Sequence, residues 1–93
     1  MEIIRSGSPV NLTQATSGGA VSLVPGNLLG FYVNSTTAGT VVIRDGITSA
    51  GTAISGTITP AIGWKDFPAY CTTGCFIVCA GTGINITAVF AAG

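Results

Sequence analysis

Turn-forming clusters punctuate this chain about every ten residues, and that rhythm limits its fold more than any other feature. They are STTAG at 35–39, DGITSAG at 45–51, TPAIG at 59–63, TTG at 72–74 and GTG at 81–83. The intervals are too short for ordinary helices, which need about ten residues or more. They are rich in Thr, Val and Ile and poor in Leu, Glu, Lys and Gln. That composition favours strands. Short strands at this spacing predict an all-β fold, a small antiparallel β-sandwich or jelly-roll-like barrel.

The intervals themselves agree. TAISGTIT (52–59) places Ile54, Gly56 and Ile58 on one face and Ser55, Thr57 and Thr59 on the other. INITAVF (84–90) sets Ile84, Ile86, Ala88 and Phe90 against Asn85, Thr87 and Val89. Both alternate with period two, as half-buried strands do. LLGFYV (28–33) and CFIVCA (75–80) are apolar on both sides and suit central strands, or a strand whose outer face meets a partner. TVVIRD (40–45) is a further strand ending in charges. WKDFPAY (64–70) contains Pro68, which has no N–H for a ladder and marks an edge or a bulge. Residues 1–27 are rich in Ser, Gly, Thr and Asn and are expected to form an N-terminal arm or loosely paired strands, with the sandwich body over 28–93.

Charge excludes several functions. Only Glu2, Arg5, Arg44, Asp45, Lys65 and Asp66 are charged, where an average domain of this length carries about 23 such residues. Three basic residues cannot neutralise a run of phosphates, so neither nucleic acid nor an anionic membrane surface is an expected partner. No apolar run approaches the roughly 20 residues of a spanning helix, and the N-terminus has no signal-peptide pattern, so synthesis in a cytosol is expected. Without histidine, no Ser-His-Asp or Cys-His arrangement is available within one chain. Asp45 and Asp66 each stand beside a base and are read as solvated turn charges. No catalysis, cofactor, metal or small-molecule substrate is expected. The exterior is left to hydroxyls and backbone, with 13 Thr, 7 Ser and 14 Gly. A near-neutral surface of this kind invites self-association.

All the cysteines lie in CTTGCFIVC, 71–79. If 75–80 is a strand, Cys75 and Cys79 share a face roughly 13 Å apart. That is beyond the reach of a disulfide or a shared metal ion. Cys71 and Cys75 flank TTG, read as a three-residue hairpin loop that sets them opposite each other within bridging distance. Three free, buried thiols and a Cys71–Cys75 disulfide are both open on this reading. The asparagines of NLT (11–13), NST (34–36) and NIT (85–87) match the glycosylation pattern, and a Thr-rich chain meets it by chance. Tyr32, Trp64, Phe67 and Tyr70 are expected to act as core or interface anchors. The same four aromatics could instead line a sugar site, with Trp64 and Tyr70 as its first candidates.

The order of these pieces is familiar. GFYVNSTTAGTVVIRDG, GTAISGTITPAIGW, FPAYCTTGCFIV and INITAVF, within residues 28–90, resemble a type of small all-β virion structural protein of tailed bacteriophages. The resemblance implies a capsid decoration (cement) protein, homotrimeric, on the outer surface of the major capsid protein lattice. Such a protein is assembled in the host bacterial cytoplasm. A tail or fibre component is the alternative it implies, and the aromatic pair Trp64 and Tyr70 would make that a carbohydrate-binding tip module. Ile3 and Ile4 are candidate contacts, through an arm that adds a strand to a neighbour's sheet edge.

Overall fold

The computed structural model describes residues 8–92. It contains eight strands: β1 (Ser8–Thr13), β2 (Gly18–Ser22), β3 (Gly26–Ser35), β4 (Thr40–Asp45), β5 (Thr52–Ala53), β6 (Gly63–Cys71), β7 (Cys75–Ala80) and β8 (Asn85–Ala92). One 3₁₀ turn, Gln14–Thr16, joins β1 to β2. The strands form two four-stranded sheets, ordered β1-β8-β3-β6 and β2-β7-β4-β5, and every pairing is antiparallel.

This order has a simple origin. The pairs β1·β8, β2·β7, β3·β6 and β4·β5 are nested around the β4–β5 turn, so the chain is one long hairpin wound around itself. That winding is the eight-stranded jelly roll, an all-β sandwich. The inner faces enclose one core containing Leu12, Leu28, Phe31, Val33, Ile43, Ile77, Ile86 and Phe90. Each such side chain, fully buried, contributes roughly 1.5–3 kcal/mol.

Most elements follow the local pattern. The apolar-on-both-faces segments become central strands: β3 lies between β8 and β6, and β7 between β2 and β4. In β8, Ile86, Ala88 and Phe90 point inward. β6 is an edge strand, and its ladder with β3 slips between Leu28 and Gly30, opposite Phe67 and Pro68.

Two segments differ from expectation. The strand expected over 52–59 is interrupted: β5 covers Thr52–Ala53, and Ile58 returns as an isolated bridge to Val41. Ser55 is the cause. Its Oγ accepts the Ile43 N–H at 2.9 Å, so a hydroxyl replaces a backbone carbonyl in the ladder. Residues 8–22 are integral to the sandwich. β1 runs along β8 from Ser8↔Phe90 to Thr13↔Asn85, and Leu12 and Val21 are core residues. Among the described residues the sandwich therefore includes Ser8–Ser22 as paired strands, and β1 covers the β8 edge. The Cα radius of gyration, 12.0 Å, is that of one compact domain of this length, about 12 Å.

Candidate functional site

Residues two apart on a strand share a face. On the first sheet this rule turns Trp64, Asp66, Pro68 and Tyr70 outward on β6, and Tyr32 and Asn34 outward on β3. Register then aligns Asn11, Thr87, Tyr32 and Trp64 in one row across all four strands. At the usual strand spacing the row is about 14 Å long. Tyr32 and Trp64 are each 45% exposed.

Beside the two rings lies an amide cluster. Asn11 Nδ2 donates to Asn85 Oδ1 at 2.7 Å and to the Ile86 carbonyl at 2.9 Å. Asn34 Nδ2 donates to the same Asn85 oxygen at 3.1 Å and to Thr87 Oγ1 at 2.9 Å. These are the asparagines of the three N-x-T matches. In a strand, that tripeptide places an amide and a hydroxyl on one face, and β1, β8 and β3 are neighbours. Both Nδ2 donors of Asn11 and of Asn34 are engaged within the sheet.

Gly30 is the bed of the indole. Its φ is +153°, and a Cβ placed there would stand 2.6 Å from Trp64 Cζ2 and 2.4 Å from the Lys65 carbonyl oxygen. Only a residue without a side chain lets the ring lie this close to β3.

The thiols occupy the interior. Cys71, Cys75 and Cys79 are free and buried. Cys71 ends β6 in one sheet and Cys75 begins β7 in the other, so TTG is a link between sheets and not a hairpin within one. The Cys71 and Cys75 thiols still lie near enough across the core to act on each other's ionisation. Burial pushes Cys71 up, the Cys75 thiol opposes this, and the Asp45 charge adds to it. Burial, followed by Cys71 and Asp45, raises Cys75 further. Burial takes Cys79 up to about 11. Nucleophilic and metal-binding cysteine is the thiolate, and these groups are held as thiols. Among the described residues no group of three or more His, Cys, Asp or Glu is placed to hold a metal ion.

Asp45 is a clamp rather than a solvated turn charge. Its Oδ2 accepts the Thr72 N–H at 2.9 Å and the Thr72 hydroxyl at 2.7 Å, and its Oδ1 accepts the Thr73 N–H at 3.0 Å. These donors hold its carboxyl below the ordinary 3.8. Arg44 is likewise committed, donating from Nη1 to the Gly51 carbonyl at 2.9 Å.

The clamp lies at one end of the sandwich, where the β2–β3, β4–β5 and β6–β7 connections meet around Gly74. A Cβ there would touch the Ser22 carbonyl oxygen and Ile47 Cγ2. This end presents Leu23, Val24 and Ile47 to solvent, 68%, 50% and 47% exposed.

The expected site residues are thus dispersed. Ile3 and Ile4 lie outside the described residues. Phe67 is half-buried against the core. Trp64 and Tyr70 share a face but stand about 20 Å apart along β6, so they form no common site. Trp64 instead meets Tyr32. The amide cluster, Gly30 and the apolar end were not singled out, although the N-x-T tripeptides were a visible signal for the first.

Comparison with known proteins finds nothing similar: no family model, no curated protein and no solved structure matches the chain. The likeness to phage virion proteins therefore rests on its short sequence motifs.

Proposed function

We propose that this chain is a non-enzymatic structural subunit of a tailed-phage virion: a capsid decoration protein that associates with copies of itself, as a homotrimer, and docks on the major capsid protein. The apolar end carries this reading. Leu23 and Val24 on the β2–β3 connection and Ile47 on the adjoining β4–β5 connection are large and exposed, and Gly74 lies between the two connections. Grouped exposed apolar residues are characteristic of interaction surfaces. Covering them gains roughly 25 cal/mol per Å², and many copies on one shell multiply a modest affinity. The rest of the exterior, hydroxyl-rich and near-neutral, suits contact between subunits. The jelly roll adds an analogy of fold alone, since capsid and lectin domains also use it.

The test is fractionation of particles from the encoding phage. The protein is expected in the head fraction at many copies per particle, and light scattering should return three chain masses for the purified protein. Leu23→Asp and Ile47→Asp should release it from heads without lowering its melting temperature. Absence from heads sinks the reading. A tail or fibre subunit is the second reading, favoured by the Tyr32–Trp64 row, and its signature is recovery with tails.

A further inference from the structure

We infer that the outer face of the first sheet, centred on the Tyr32–Trp64 row, binds a neutral oligosaccharide or polysaccharide. The inference does not depend on the docking end. It starts from what an uncharged sugar offers: apolar C–H faces and a rim of hydroxyls that both donate and accept. The row has a counterpart for each. Two aromatic side chains stand at paired positions on adjacent strands, each nearly half exposed, with the indole laid over Gly30. Next to them is a fixed polar rim. The Nδ2 hydrogens of Asn11 and Asn34 are engaged within the sheet, which locks both amides and leaves their oxygens as oriented acceptors. Thr87 Oγ1 accepts from Asn34, leaving its own proton to donate outward. Asp66 adds an exposed carboxylate two residues from Trp64 on the same face, a strong acceptor for a hydroxyl pair.

Charge decides among ligands that stack. Strands of nucleic acid also stack on aromatic rings, but they require a positive groove. Of the two bases among the described residues, Lys65 alternates to the other side of β6 and Arg44 belongs to the second sheet. Asp66 disfavours acidic sugars for the same reason. Proline-rich peptides dock between aromatics as well. They have few hydrogen-bonding groups for a rim of three amides and a hydroxyl, so the polar half of the site favours sugar. Positioning is built in, because the Gly30 bed fixes the indole and the amide cluster fixes the rim before any ligand arrives. The row also lies toward the end of β6 away from the Thr72–Gly74 link, so docking through the apolar end leaves it open.

Trp64 is the sole tryptophan, which makes the test direct. The full chain is titrated with hexasaccharides of β-1,4-linked glucose, mannose and N-acetylglucosamine and of α-1,4-linked glucose, followed by Trp64 emission and calorimetry. At least one should bind with a blue shift. By calorimetry, Trp64→Ala and Tyr32→Ala should each weaken it at least tenfold, whereas Tyr70→Ala should stay within twofold. If Trp64→Ala melts early, Tyr32→Ala and Trp64→Phe decide: the first weakens binding tenfold and the second, keeping a ring, stays within threefold to fivefold. The inference is overturned by any of three results. None of the four sugars binds; binding survives both Tyr32→Ala and Trp64→Ala; or a proline-rich decapeptide or a second copy of the chain occupies the row instead, seen as peptide binding or as a mass that Tyr32→Ala lowers.

Discussion

Trp64 lies across Gly30 on the neighbouring strand, so close that a single methyl group at Gly30 would stand 2.6 Å from the indole Cζ2. The backbone there has a φ of +153°, which side chains rarely adopt. Gly30→Ala should therefore cost about 1–3 kcal/mol through strain and displacement of the ring. Urea denaturation followed at Trp64 should show the lower midpoint, with native emission shifted to the red. An alanine variant with unchanged stability and emission would contradict the packing of the ring on β3.

The Asp45 clamp makes a prediction in acid. Thr72 and Thr73 donate to the charged carboxylate, so its folded pKa is below the ordinary 3.8. A depressed carboxyl stabilises the fold above the unfolded value, and that stabilisation fades as pH falls through the folded one. Asp45→Asn should be less stable than the parent at pH 7. Urea midpoints of the two should converge as pH falls below the ordinary 3.8 and through the lowered folded value. A constant gap over that range would show that the charge is not what holds the turn.

The buried thiols make the opposite prediction in alkali. Cys79 is raised to about 11 from an ordinary 9.0. Between these values the unfolded chain ionises this thiol while the folded chain keeps it neutral. Stability should thus be intact below about pH 9 and decline as pH rises through about 11, by roughly 2–3 kcal/mol from this group. Cys79→Ala should flatten the decline. At pH 8 an aromatic disulfide reagent should find no reactive thiol in the native chain and three after unfolding in urea. Rapid reaction of the native protein would place the cysteines nearer the surface.

Leu12 tests the role of the first strand. It is a core residue, 6% exposed, in a segment that reads as an arm or as loosely paired strands. Leu12→Ala should lower the stability of the whole domain by about 2–5 kcal/mol in a single cooperative transition. An arm loosely attached to a self-sufficient body would leave the main transition unmoved.

The strands over 40–45, 75–80 and 84–90 were legible because parity is written into each segment: β-branched and apolar residues alternate or run unbroken between turns. Residues 52–59 have the same parity, but the Ser55 hydroxyl diverts the ladder. Residues 8–22 gave weak signals because a strand of Ser, Gly and Asn takes its stability from the partner it covers. The candidate site was half legible. N-x-T announces an amide and a hydroxyl on one face wherever it falls in a strand, but only the order β1-β8-β3 makes three such tripeptides one cluster. Nor does local spacing disclose that Trp64 meets Tyr32 rather than Tyr70.

The sequence alone determined that this protein is all-β, that its exterior is nearly uncharged and that its chemistry is limited by the absence of histidine. These are properties of side chains and of a backbone with a two-residue repeat, and they need no partner to be read. The tertiary structure alone decided which strands adjoin. It thereby placed the thiols inside, committed Asp45 to a turn and set the aromatic row beside the amides. Adjacency is fixed by hydrogen bonds and packing between distant segments, and the winding of the whole chain selects them together.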